Sequence, residues 1–162
     1  MPSASNFSGR QIKIPYYGQS MKSISPYYKI LDHTADLGVK VKGKDLPTLF
    51  RNAGYALLDV LVSGKSPEIA KSMNLAITGT DLPDLMVRWL GEILYLFEGE
   101  GLISTLINIH SLSNNNLEAS LHTLAFDPKF HQVHTEVKAV TYHRIEVVQK
   151  GGIWEASIIF DL

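Results

Sequence analysis

Three oxygen-bearing positions stand out: Asp36 in the segment ILDHTADLGVKVKG (residues 30–43), Asp161 one residue from the end, and the main-chain carboxylate of Leu162, where the sequence given stops. Aspartate and α-carboxyl groups are anionic at neutral pH, so the last two positions put two negative charges side by side. A third carboxylate brought up to them would be repelled unless a cation lay between. Oxygen-only donors of this kind suit calcium, magnesium or manganese better than zinc or copper. The competing reading is plainer: Asp36 caps a turn and Asp161 is solvated at a frayed end. Spacing alone leaves both open.

The six histidines offer less. His131, His134 and His143 gather with Glu136 in FHQVHTEVKAVTYH, but no pair has the helical i, i+4 spacing with an intervening glutamate that marks a metalloprotease. His143 is in phase with Val137, Ala139, Thr141, Ile145 and Val147, which predicts a hydrogen-bonded histidine inside the core or, failing that, a donor that orients a carboxylate. His33, beside Thr34 and three residues before Asp36, is better placed for the orienting role. No glycine-rich phosphate loop and no G-x-S-x-G nucleophile turn occurs, and Glu92 and Glu98 read as a solvated helix face.

The elements that must carry these residues follow from periodicity. Alternation in a strand sends Leu37, Val39 and Val41 to the core and leaves Asp36, Gly38, Lys40 and Lys42 on the polar face. In the last strand Trp154, Ala156, Ile158, Phe160 and Leu162 point inward, opposite Glu155, Ser157, Ile159 and Asp161. Asp36 and Asp161 thus each end the polar face of a strand. Two helices are predicted from Asp45 and Asp81, each opening on Asp-Leu-Pro, an Asp that can accept from free backbone N–H groups before a Pro whose missing N–H costs nothing there. The first carries one apolar stripe from Leu49 to Leu61, with Thr48, Asn52, Tyr55 and Asp59 expected on the opposite side. The second carries a wider stripe from Leu82 to Phe97 and stops at Gly99 and Gly101. Strand-like runs at 27–31, 37–42, 69–78, 102–110, 117–126, 136–148 and 153–162 are separated by turn signals such as SNNN and KGG. The expected fold class is α+β, a mostly antiparallel sheet of about seven strands with two helices packed on one face.

A chain of 162 residues suits one domain, here 27–162, preceded by a Ser-, Gly- and Pro-rich segment at 1–26 that reads as a flexible extension. With 15 Lys and Arg against 16 Asp and Glu, the net charge of -1 gives no field for gathering nucleic acid or anionic lipid. Any RNA role is then local or indirect. The absence of cysteine removes thiolate metal sites and cysteine nucleophiles, and no run has the length of a signal peptide or membrane span, so a cytoplasmic protein with no membrane contact is expected.

Several longer stretches, DHTADLG at 32–38, LFRNAGYALLDV at 49–60, LMVRWLGEILYLFEGEG at 85–101, EVKAVTYHRIEV at 136–147 and the final WEASIIFDL, together resemble the archease family in order and spacing. The resemblance implies an accessory protein with no turnover of its own, acting on RtcB-type RNA ligases in tRNA splicing and RNA repair. Such ligases use GTP and manganese to load GMP onto a histidine of their own, and the family is understood to promote that guanylylation and multiple turnover through a bound metal. Carried over, the metal ligands are Asp36, Asp161 and the main-chain carboxylate of Leu162, with His33, Thr34 and His143 orienting them. The segment before Tyr27 is longer than the family needs. Two other functions stay open: a metal-dependent hydrolase using Asp36, Asp161 and a histidine base, and a chaperone-like binding module without metal.

Overall fold

The structure, a computed structural model, describes residues 27–32 and 35–162. The extension at 1–26 and the orienting residues His33 and Thr34 lie outside the described residues. In chain order the elements are β1 (Tyr28–Asp32), β2 (Asp36–Gly43), α1 (Leu46–Leu61), β3 (Val62–Gly64), β4 (Lys71–Thr78), α2 (Leu82–Glu98), β5 (Leu102–Leu112), β6 (Asn116–Ala125), β7 (His131–Val133), β8 (Ala139–Lys150) and β9 (Ile153–Asp161).

Both helices begin as the Asp-Leu-Pro words require. The Asp45 carboxylate accepts from Thr48 N at 2.8 Å and that of Asp81 from Asp84 N at 2.9 Å, each with proline in the first turn. At the far end of α2 the Gly99 N–H closes on Tyr95 O at 2.7 Å. No helix among the described residues is long and apolar enough to cross a membrane.

The strands are antiparallel, as expected, but they number nine among the described residues and divide among three sheets. The first sheet has the order β1-β2-β9-β8, the second pairs β3 with β7, and the third has the order β4-β6-β5. Three-residue strands such as β3 and β7 carry too few residues to show a period, which is why the sequence pattern passes over them.

The helices touch strands of both larger sheets: α1 packs on β2 and on β5, α2 on β8 and on β4 and β5. This second cover changes the reading of α1. Asn52, Tyr55 and Asp59, expected to face water, are all buried. Each finds a polar partner on a strand, because a buried polar group without one is costly. The Asn52 amide donates to Lys42 O at 2.9 Å, the Tyr55 hydroxyl accepts from Ile107 N at 3.0 Å, and the Asp59 carboxylate accepts from the Tyr28 hydroxyl. Gly54 lies where α1 meets β5 and α2; a Cβ there would sit 2.7 Å from the Ile107 Cδ1 and 3.1 Å from the Ile93 Cδ1. Trp89 is wholly buried at the centre of the core and donates its indole N–H to Phe50 O at 2.8 Å, tying the two helices together.

Candidate metal centre

The antiparallel register of β9 against β2 pairs Asp161 directly with Asp36. Parity places each aspartate at the end of a polar strand face, and the register brings the two ends together. Directly opposed residues have Cβ atoms about 4.5–5.5 Å apart, close enough for two carboxylates to share one ion. Immediately behind them on the core face, Phe160 pairs with Leu37, and both are buried. The acidic tip is therefore backed by packed apolar side chains.

Two further contacts fix the end of β9. Lys138 N donates to the carbonyl of Asp161 at 2.8 Å, and the Leu162 side chain packs, half-buried, against the core. Asp36 is half-buried and Asp161 exposed. Among the described residues neither carboxylate takes part in an ion pair or hydrogen bond. Like charges directly opposed on a sheet are destabilising. Nothing described in the chain offsets this pair. No three His, Cys, Asp or Glu side chains among the described residues cluster closely enough to hold a metal. The two aspartates offer hard oxygens, a chemistry that suits calcium, magnesium or manganese better than softer ions.

His143 is not in the core. It is exposed, and its ring makes no hydrogen bond to either aspartate. The reason is a bulge: Ser157 pairs with Glu146 and Ile159 with Thr141, so residues 142–145 stand against Ile158 alone. Parity carried from Val137 to Val147 fails across such an insertion, within which Arg144 takes the left-handed conformation at φ 54°. The bulge is held from two sides. Thr141 Oγ1 donates to Ile159 O at 3.0 Å, and the Tyr142 hydroxyl donates to Asp84 Oδ1 at 2.6 Å.

Asp84 is the best-connected carboxylate described. It accepts also from Thr80 N at 2.8 Å and from Arg88 Nε at 2.8 Å. The bond from Tyr142 first, then those from Thr80 and Arg88, hold its carboxyl well below the usual range, and the same bond raises the Tyr142 phenol. Sequence reasoning passes over this clamp. Its local half was legible as an acid in the first turn of α2 four residues before Arg88; the partner 58 residues away was not.

The model of the archease protein family matches residues 28–162. The chain belongs to the archease family. It is 31% identical over 146 residues to the protein archease of Methanosarcina mazei, covering 88% of this chain and 100% of that one, and 32% identical over the same length to its Methanosarcina barkeri counterpart. The solution structure of Methanobacterium thermoautotrophicum protein 1598 superposes with a TM-score of 0.70 at 30% identity, over 83% of this chain and 98% of that one. The crystal structure of an archease described as a possible chaperone, from Thermotoga maritima, agrees in fold with a TM-score of 0.58 at 19% identity, over 83% and 96% of the two chains. The α+β architecture is thus that of the family, and the stretches that carried the resemblance lie within the matched span.

Proposed function

We propose that this chain is a metal-binding activator of an RtcB-type RNA ligase, without turnover of its own, acting in the cytoplasm in tRNA splicing and RNA repair. One observation supports the site most directly: the register that makes Asp161 the cross-strand partner of Asp36. In this reading Asp36, Asp161 and the main-chain carboxylate of Leu162 hold a hard divalent cation, calcium, magnesium or manganese. A divalent ion bound there would supply positive charge to anionic phosphate oxygens when the tip is presented to the ligase. The chain's own part is to hold the donors: Phe160 and Leu37 set their spacing from behind, and the Lys138 N–H fixes the last peptide. His33 and Thr34 are assigned to orienting the carboxylates; His143, whose ring bonds to neither, is not. The ligase is the direct partner, and RNA is contacted only through it, in keeping with a net charge of -1.

The test is multiple-turnover RNA ligation with and without this protein, repeated with Asp36→Ala and Asp161→Ala. Stimulation by wild type that both variants lose supports the reading; undiminished stimulation by both removes the metal from it. Phosphodiester cleavage by the isolated protein with manganese present would replace the activator with a hydrolase.

A further inference from the structure

The outer edges of the sheets are not alike. β5, one edge of the third sheet, is bulged at Thr105 and His110, where its register against β6 shifts. β1, one edge of the first sheet, is five residues long and carries Lys29; β8, the other edge, is broken by the 142–145 bulge and carries Arg144, Glu146 and Lys150. Bulges, short length and charge are the devices that keep an open edge from pairing with another chain. β4 has none of them along most of its length. It runs eight residues in unbroken register with β6, contains no proline, and has a single charge, Lys71, at its first position. Among the described residues no strand pairs with its other side.

Beside this edge is a groove of about 350 Å³ between β4 and α2, with Leu75, Ala76 and Ile77 on one wall and Arg88, Gly91 and Glu92 on the other. Gly91 sits inside α2, where glycine is less favourable than alanine by about 1 kcal/mol. A Cβ there would meet nothing within 4 Å, so packing within the chain does not require the glycine. Along one side of the helix lie Arg88 and Tyr95, both exposed, with Gly91 and Glu92, both half-buried, between them, and Glu92 has no ion pair among the described residues. Arg88 uses Nε on Asp84 and is otherwise about half exposed, which leaves the donors of its terminal nitrogens available.

We infer that β4 is the edge through which two copies of this chain pair. A two-fold axis normal to the sheet near Ala76 joins β4 to β4 antiparallel and makes one six-stranded sheet of the two three-stranded ones. The same axis sets the two α2 helices antiparallel, with their Gly91 positions closest to each other. Arg88 of one copy then faces Glu92 and Tyr95 of the other, and the reverse holds by symmetry. The stripe is self-complementary in charge, and the glycine gives it close approach. A foreign extended peptide could use the strand edge, but it would leave this reciprocal pattern on α2 without a purpose.

Sedimentation equilibrium of the full chain over a concentration series is the primary test, with amide hydrogen exchange followed at the same concentrations. A monomer–dimer equilibrium is expected, with slower exchange in β4 as dimer accumulates. Ala76→Lys puts like charges opposite each other at the axis, and Gly91→Trp fills the approach between helices; both positions are open in the monomer. Each is expected to raise the dissociation constant at least about tenfold, the equivalent of ~1.4 kcal/mol, while the monomer melts no lower than wild type. A chain that stays monomeric throughout overturns the inference. So does a dimer that neither substitution weakens, or one whose protected amides lie outside β4.

Discussion

Replacing Asp59 with asparagine removes an ionisable group from beneath the first sheet. The side chain is 1% exposed, accepts from the Tyr28 hydroxyl through one oxygen, and has its other oxygen buried without a partner among the described residues. Burial pushes the carboxyl up from 3.8 to about 6, the Tyr28 bond offsetting part of the rise. The folded chain therefore holds this proton more tightly than the unfolded one. Its contribution is fully present below about pH 4 and is lost as pH rises through about 6. Each tenfold difference in proton affinity is worth about 1.4 kcal/mol, so the wild type gives up about 3 kcal/mol across that window. Asparagine cannot ionise and keeps the acceptor for Tyr28. At 2–4 °C per kcal/mol for a chain of this size, the melting temperature of Asp59→Asn relative to wild type should climb by about 6–12 °C between pH 4 and pH 7. The cost of seating the new amide N–H₂ is the same at both pH values and drops out of the comparison. Calorimetric or circular-dichroism melts at half-unit pH steps measure it. A difference that stays constant from pH 4 to pH 7 would refute the assignment of a buried, proton-holding carboxyl.

Three further outcomes are expected. Asp36→Asn and Asp161→Asn should each stabilise the metal-free protein by about 0.2–1 kcal/mol by removing a like-charge pair, and abolish any rise in melting temperature on adding calcium or manganese, read by thermal shift with and without chelator. Tyr142→Phe should lower the melting temperature at neutral pH, and the loss should shrink in acid, because the depressed Asp84 carboxyl stabilises the fold only while ionised. Phe160→Ala should cost about 3–5 kcal/mol in urea unfolding, as expected for a wholly buried aromatic, and should weaken metal binding although no donor is altered.

The two helices and the seven longer strands were legible because each is long enough to show its period, and because Asp45 and Asp81 announce the helix starts. The acidic ends of β2 and β9 were legible as strand faces, and their meeting was suggested by resemblance before the register brought them opposite each other. What escaped depends on distant chain. Asn52, Tyr55 and Asp59 look like a solvent face until a second sheet covers α1. His143 looks internal until four residues are seen to oppose one. The Tyr142–Asp84 bond joins elements 58 residues apart, which no local pattern contains.

The placing of β9 has a consequence for how the molecule is made. The last strand in the sequence is an inner one, hydrogen-bonded on one side to β2 and on the other to β8. During synthesis β1 and β2 emerge early and must wait, with one long edge open, for a neighbour some 120 residues downstream. The first sheet, and with it the facing aspartates, comes into being only once β9 has been made. A nascent chain broken off before β9 therefore lacks the acidic pair altogether, so that any function lodged there waits on that one strand.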